Sequence, residues 1–355
     1  MILVTKTYLP PFEEYAEYLK GIWKRGWVTN NGELVQELEK KLREYLGAKH
    51  VFLVANGTIG LQIALKCLES SGEIITTPFS YVATASSIVW ENFKPVFVDI
   101  DQNDLCIDPY KIESAISKNT KAILAVHVYG NPCNIEAIEK ISKKHKIKVI
   151  CDAAHAFGVL YKGKAISSYG DISVFSFHAT KIFHTVEGGA LVTNDDNLAH
   201  KISYMRNFGH NGPYDFFGIG INGKNSELHA AMGLCVLPKI DSLIQARKKA
   251  SQLYNEFLPK VTRPLFRQNS KLNYGYYPII LKNEKEVLKI ISALNKKDIF
   301  PRRYFYPSLS NLNYVERKAF PIADDIARRV LCLPLYHDLS FKDIKKISEI
   351  VGSCL

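Results

Sequence analysis

Between residues 151 and 190 the chain gathers side chains that could run amine chemistry. Cys151-Asp152-Ala153-Ala154-His155-Ala156 follows an apolar run. Asp171-Ile172-Ser173-Val174-Phe175-Ser176-Phe177-His178-Ala179-Thr180-Lys181 is a second run, and it passes through a polar turn into a lysine. Glu187-Gly188-Gly189-Ala190 then opens a third. In open α/β sheets ligands sit beyond the carboxyl ends of the strands, where this acid and this lysine would lie. An acid and a lysine so placed, with Ser, Thr and Gly nearby, suit a phosphorylated aldehyde cofactor. The amine condenses with the aldehyde, the carboxylate keeps a ring nitrogen protonated, and small polar groups hold the phosphate. Taken singly, Asp152 could be a helix cap and Lys181 a surface lysine; it is the combination that argues for a site.

A second signal is Asn56-Gly57-Thr58, set directly after the apolar Val51 to Val54. A helix opening at Gly57 would present free N–H groups and the positive end of its dipole to a phosphate. Most Gly-Thr pairs in that position are only caps, so this signal is weak alone. Other strings fail as motifs. Gly218 to Asn225 is one residue short of a P-loop, with Asn225 where Ser or Thr is required. Asp99-x-Asp101-x-Asn103 begins like a calcium loop, but Asp104 replaces its glycine and Tyr110 its closing glutamate. His178 and His184 are six apart, which fits no helical metal face, and no metal site is expected. Both are expected on the active-site loop. Tyr304-Phe305-Tyr306-Pro307 and Tyr336-His337 divide between core packing and substrate contact.

These residues need strands to carry them. Val51 to Val54, Glu73 to Thr77, Pro95 to Val98, Ala122 to Val126, Val149 to Asp152 and Ile172 to Phe177 read as strands. Ile59 to Leu68, Pro109 to Ser117 and Ile135 to His145 between them carry helical periodicity. Such alternation predicts βαβ units and a largely parallel sheet with helices on both faces. After Pro238 a charged helix is expected at Lys239 to Phe257. Strands follow at Tyr276 to Leu281 and Val330 to Pro334, and helices at Glu284 to Leu294 and Phe341 to Val351. The expected division is an arm plus large domain over 1–238 and a small α/β domain over 239–355. In the first 30 residues Pro10-Pro11 opens a helix, which Gly21, Gly26 and Asn30-Asn31-Gly32 are expected to break.

Length and composition set the outer bounds. The chain has 355 residues, of which 47% are hydrophobic, enough for a substantial core. Lys and Arg outnumber Asp and Glu by 46 to 35, a net +11, which favours an anionic partner. The basic residues are dispersed and no RNA-binding aromatic motif occurs, so nucleic acid is not expected. Seven scattered cysteines without a Cys-x-x-Cys pair suggest reduced thiols. With no leader-like start and no run of 18 apolar residues, a soluble, cytoplasmic protein without membrane contact is the expectation.

The chain resembles the DegT/DnrJ/EryC1/StrS aminotransferases over almost its whole length. The likeness rests on Gly26-Trp27-Val28-Thr29, Ala55-Asn56-Gly57-Thr58, Thr77 to Thr84, Pro95 to Ile100, the block 151–190, and Gly220-Ile221-Asn222-Gly223-Lys224-Asn225-Ser226-Glu227. The resemblance implies the type I fold of pyridoxal-phosphate aminotransferases, a three-layer α/β/α large domain with a smaller C-terminal α/β domain. It implies pyridoxal 5′-phosphate as cofactor, with Lys181 bonded to it and then moving the proton. Asp152 would pair with the ring nitrogen, and its pKa is expected to be lowered by that cation. His155, where many relatives have Gln, would approach the ring's phenolic oxygen, and Tyr81 would stack on its face. Gly57, Thr58 and Ser176 would hold the phosphate, joined by Asn222 from a second subunit, which implies a homodimer with shared sites. Thr29, His178, Tyr306 and His337 are the expected substrate contacts.

The implied reaction moves an amino group from L-glutamate to a keto-deoxy nucleotide sugar, with dTDP-4-keto-6-deoxyglucose the expected acceptor. A 3-keto-sugar or UDP-sugar aminotransferase is the near alternative. A sugar dehydratase would have His in place of Lys181, and a non-enzymatic binder would not need the full set of active-site types present here.

Overall fold

The computed structural model describes residues 1–68 and 71–355. Its central sheet has seven strands. They are β1 (His50–Val54), β2 (Glu73–Thr76), β3 (Lys94–Phe97), β4 (Thr120–Val126), β5 (Lys148–Asp152), β6 (Ile172–Ser176) and β7 (Gly189–Thr193). Their spatial order is β1-β7-β6-β5-β4-β2-β3. The pairings from β3 through to β6 are parallel, whereas β7 is antiparallel to both β1 and β6. β4 is buried along nearly its whole length, as a strand covered on both faces must be, and its apolar run reads accordingly.

The reversed strand matters for the site. Because β7 runs against its neighbours, its first residue reaches the edge where β1 and β6 end. In register, Gly189 lies opposite Val54 on one side and Ser176 on the other.

Helices cover the sheet. The main ones are α1 (Phe12–Arg25), α2 (Glu33–Leu46), α3 (Gly57–Lys66), α4 (Val82–Trp90), α5 (Ile135–His145) and α6 (Glu227–Val236). α5 has the predicted bounds: the Asn134 side chain caps the Ala137 amide, Ile135 and Ile138 face the core, and the last turn is basic. Pro109 to Ser117 yields only a helical turn, Pro109–Ile112, and a 3-10 turn, Glu113–Ala115. Gly21 does not break α1. The buried face around Ile22, with Tyr15, Tyr18 and Leu19 packed beside it, outweighs the ~1 kcal/mol that one helical glycine costs. Gly26, at φ 66°, ends the helix in the left-handed conformation that glycine tolerates best.

A second core lies toward the C-terminus. It joins β8 (Tyr277–Ile280) and β9 (Val330–Leu333), an antiparallel pair, to α8 (Glu284–Asn295) and α10 (Phe341–Cys354). α7 (Ile240–Phe257) spans both cores: Ile240, Leu243 and Ile244 pack in the first, Ala250 and Tyr254 in the second. α9 (Pro321–Arg329) packs Ala323, Ile326 and Ala327 on the first core. Asp99 ties it there, its carboxylate accepting from the amides of Ile322 (3.1 Å) and Ala323 (2.9 Å). Ile2 and Leu3 pair in parallel with Ile299 and Phe300, fastening the N-terminus to the C-terminal part. Among the described residues no helix is long and apolar enough to cross a membrane.

Candidate active site

A cavity of about 550 Å³ opens at the sheet edge where β1, β4, β5 and β6 end. Gly57, Thr58, Tyr81, Asp152, His155, Ser176, His178 and Lys181 all line it. Asp152 is the last residue of β5 and is buried. Its two carboxylate oxygens accept from the Thr84 hydroxyl at 2.8 Å and the Ala154 amide at 3.1 Å. Ser80 stands 2.7 Å from Thr84 and extends the chain. Burial pushes the Asp152 pKa up, against the lowering pull of Thr84, the Ala154 amide and Lys181. The lowered pKa predicted from sequence presumed a cation against the carboxylate. In the protein alone desolvation prevails, so the site favours a bound cation that would relieve it.

Lys181 follows the turn after β6. Its Nζ is 3.4 Å from the Tyr276 hydroxyl. Desolvation lowers its pKa, while Asp152, Tyr304 and Tyr81 pull the other way. Burial, and not the neighbours, is what favours the neutral amine that a nucleophile or base needs. The same burial keeps His155 neutral, and its Nδ1 is a buried nitrogen without a partner among the described residues. The ring of His155 is held by Tyr276, 4.6 Å away, and by Phe305 stacked at 5.5 Å.

The third part of the wall is a cradle. α3 starts immediately after β1, capped by Asn56, whose side chain accepts from the Ile59 amide at 2.8 Å. The Gly57 and Thr58 amides precede the first helical hydrogen bond, from the Gly60 amide to the Asn56 carbonyl, so the helix itself does not use them. A Cβ at Gly57 would stand 3.1 Å from the Ser176 Cβ, a tight contact, so glycine lets the turn lie close against Ser176 without displacing it. A buried carboxylate, a lysine whose charged form burial disfavours, an imidazole and an anion-ready helix start line one cavity. They fit a phosphorylated pyridine aldehyde.

The structure separates the remaining predicted residues from this cavity within one chain. Thr29 sits half-buried on the N-terminal arm. Asn222 lies on the loop that pairs with Asn207, its side chain accepting from Lys224 at 2.8 Å. Tyr306 is exposed, with the Arg303 guanidinium 3.4 Å over its ring. His337 packs against the edge of Tyr8. His184, expected on the active-site loop, is buried behind it and bonds the Tyr8 carbonyl at 2.7 Å. Tyr304 and Phe305, which the sequence left between core packing and substrate contact, line the cavity, as do Tyr276 and Arg302, which it did not single out. They come from the C-terminal part of the chain, and no local pattern ties them to 151–190. Thr84 and Ser80 had a faint signal, a spacing of four at the start of a helix.

An α/β fold with this lysine and carboxylate at adjacent strand ends suits an enzyme that works through a pyridoxal-type cofactor. Residues 12–352 match the DegT/DnrJ/EryC1/StrS aminotransferase family, and the chain belongs to it. Members of that family depend on pyridoxal phosphate. The chain is 44% identical to the dTDP-4-amino-4,6-dideoxy-D-glucose transaminase of Shigella dysenteriae, over 96% of this chain and 95% of that one. It is 41% identical to the Escherichia coli enzyme of the same name, over 99% and 98%. The structure of DesI, solved in the presence of its TDP-sugar product, superposes with a TM-score of 0.94 at 30% identity, covering 99% of this chain and 92% of that one.

Proposed function

We propose that this chain transfers the amino group of L-glutamate to dTDP-4-keto-6-deoxyglucose, giving dTDP-4-amino-4,6-dideoxyglucose, with pyridoxal 5′-phosphate as cofactor. The chemistry is carried by the convergence of Lys181 and buried Asp152 on one cavity. The acceptor is supported by identities above 40% to transaminases named for that product.

Bound in the cavity, pyridoxal phosphate supplies an aldehyde that condenses with amines and a ring that accepts an electron pair. Gly57, Thr58 and the Ser176 hydroxyl bind its phosphate. Asp152 stays ionised against the ring nitrogen, held by Thr84 and the Ala154 amide. His155 would lie by the ring oxygen and Tyr81 by the ring face, both from the cavity wall. Lys181 takes the proton from the donor's α-carbon and returns one to the sugar carbon that receives the amine. Desolvation, which lowers its pKa and so eases loss of its proton, suits it to both tasks. His178 lies on the wall within reach of substrate; Thr29, Tyr306 and His337 would act from the rim.

Asn222 would complete the phosphate site of a second copy, making a homodimer. The aromatic loop around it, with Phe208, Phe216, Phe217 and Ile219 exposed, supplies apolar surface for that contact. Seven buried thiols suit a reducing cytoplasm, and an amino sugar of this kind would enter surface polysaccharide such as O-antigen lipopolysaccharide.

The test is a proton NMR spectrum of the product made from dTDP-4-keto-6-deoxyglucose, L-glutamate and pyridoxal phosphate. An equatorial amine at C4 is expected, and Lys181→Ala should abolish it. No product with this sugar, but amination of the 3-keto isomer or of a UDP-sugar, would overturn the acceptor. Transfer that persists in Lys181→Ala would overturn the mechanism.

A further inference from the structure

The reading above asks one cavity to receive two anions in turn, an amino acid with two carboxylates and a sugar carrying a diphosphate. Such ligands need a cation that neither the chemistry nor the fold has already engaged. Lys181 is the reacting amine, and burial keeps His155 neutral.

Two adjacent arginines precede Tyr304, and the structure uses them differently. Arg303 is committed to the fold. It pairs with Glu284 at 2.7 Å, lies over the Tyr306 ring and donates to the carbonyl of Arg328. Arg302 lines the cavity and has no carboxylate partner among the described residues. Its backbone is fixed by a reciprocal pair of hydrogen bonds with Cys332, at 3.1 and 2.8 Å. Its guanidinium stands 5.7 Å from the Tyr304 ring centre. Arg302, Tyr304 and Lys181 all line the same cavity, and the Lys181 amine stands 3.4 Å from the hydroxyl of Tyr276, whose ring packs edge-on to Tyr304.

We propose that Arg302 is the oxyanion seat of this cavity and takes a carboxylate of the amino donor through its two-pronged fork. The guanidinium matches carboxylate and phosphate oxygens alike, so the acceptor's diphosphate is the other source of the same chemistry. The donor is favoured on distance. An α-amino acid carries its carboxylate one carbon from the reacting nitrogen, whereas the diphosphate lies across the sugar ring from C4.

The inference rests on the proposed aminotransferase reaction, and the test keeps the two apart. Holoenzyme is mixed with L-glutamate alone, and loss of the bound cofactor's visible band is followed in wild type, Arg302→Lys and Arg302→Met. The KM for glutamate should rise about 10- to 150-fold in Arg302→Met, with part recovered in Arg302→Lys. Calorimetric affinity for glutarate, a dicarboxylate that cannot react, should fall by a similar factor. Starting from the amine-loaded enzyme, the KM for the dTDP-keto sugar should stay within about threefold. An unchanged melting temperature and cofactor spectrum would exclude misfolding. Unchanged glutamate KM and glutarate affinity would overturn the proposal, and a loss confined to the sugar arm would overturn the donor assignment. If wild type converts nothing with glutamate, the functional reading falls, and glutarate binding still decides Arg302.

Discussion

Gly189→Ala tests whether the reversed strand β7 builds the phosphate cradle. An added Cβ would stand 2.7 Å from the Asn56 carbonyl carbon, 2.8 Å from the Gly57 nitrogen and 2.8 Å from the Phe175 oxygen. All three are backbone atoms, so no side chain can swing aside. Restoring ordinary contact near 3.5 Å requires the strand and the turn to part by roughly 0.8 Å. That displacement would stretch a hydrogen bond of ~2.9 Å to about 3.7 Å, beyond useful length. Losing one charge-assisted bond from the Gly57–Thr58 amides to a phosphate costs ~1.5–3 kcal/mol, or about 10- to 150-fold in affinity. The assay is titration of cofactor-free protein with pyridoxal phosphate, read from the visible band, beside pyridoxal lacking the phosphate. The variant should bind pyridoxal phosphate more weakly by that factor and pyridoxal nearly as wild type does. Wild-type affinity for pyridoxal phosphate would refute the reasoning. Equal losses for both ligands would move the damage away from the cradle.

Other positions give sharper tests of the fold. Glu227 is wholly buried and accepts from the amides of Leu34 (3.1 Å) and Val35 (3.0 Å), capping α2 from 190 residues away where Gly32 offers no side chain. Glu227→Ala should therefore cost about 2–5 kcal/mol in urea unfolding, and Glu227→Gln less, since its carbonyl still accepts; wild-type midpoints would refute this. Buried His127 has its pKa pushed down to about 3 by desolvation. Below its ordinary value near 6.5 the unfolded chain binds a proton that the native state refuses, so stability falls as pH drops. From pH 7.5 to 4.5 that loss is ~2.7 kcal/mol, and His127→Asn should remove it, leaving a shallower slope to which His155, His184, His229 and His337, all with lowered pKa, contribute. An unchanged slope would show that His127 is not the titrating group. Gly352 sits on the exposed face of α10 with open space around its Cβ position. Gly352→Ala should stabilise by up to ~1 kcal/mol, seen as a higher urea midpoint; a lower midpoint would contradict the open space.

The sequence by itself determined the strands and what stands at their ends. Buried strands read as short apolar runs, so β1 through β6 were readable to within a residue or two and the opening of β7 was visible, and Asp152 and Lys181 could be placed at the end of β5 and beyond β6. α5 was readable to the residue because cap, periodicity and basic last turn agree locally. What local pattern cannot carry is direction and burial across the chain. Nothing in Gly189 to Thr193 says that β7 runs backwards, since an apolar run reads alike in either sense. Gly21 stays helical because the core beneath α1 outweighs propensity, and His184 turns inward because the Tyr8 carbonyl, 176 residues away, needs a donor. Tyr276, Arg302 and Tyr304 reach the cavity only when the C-terminal core docks beside the sheet edge. Local periodicity records which face of an element is apolar, whereas a site assembled from distant segments exists only after their buried surfaces have met.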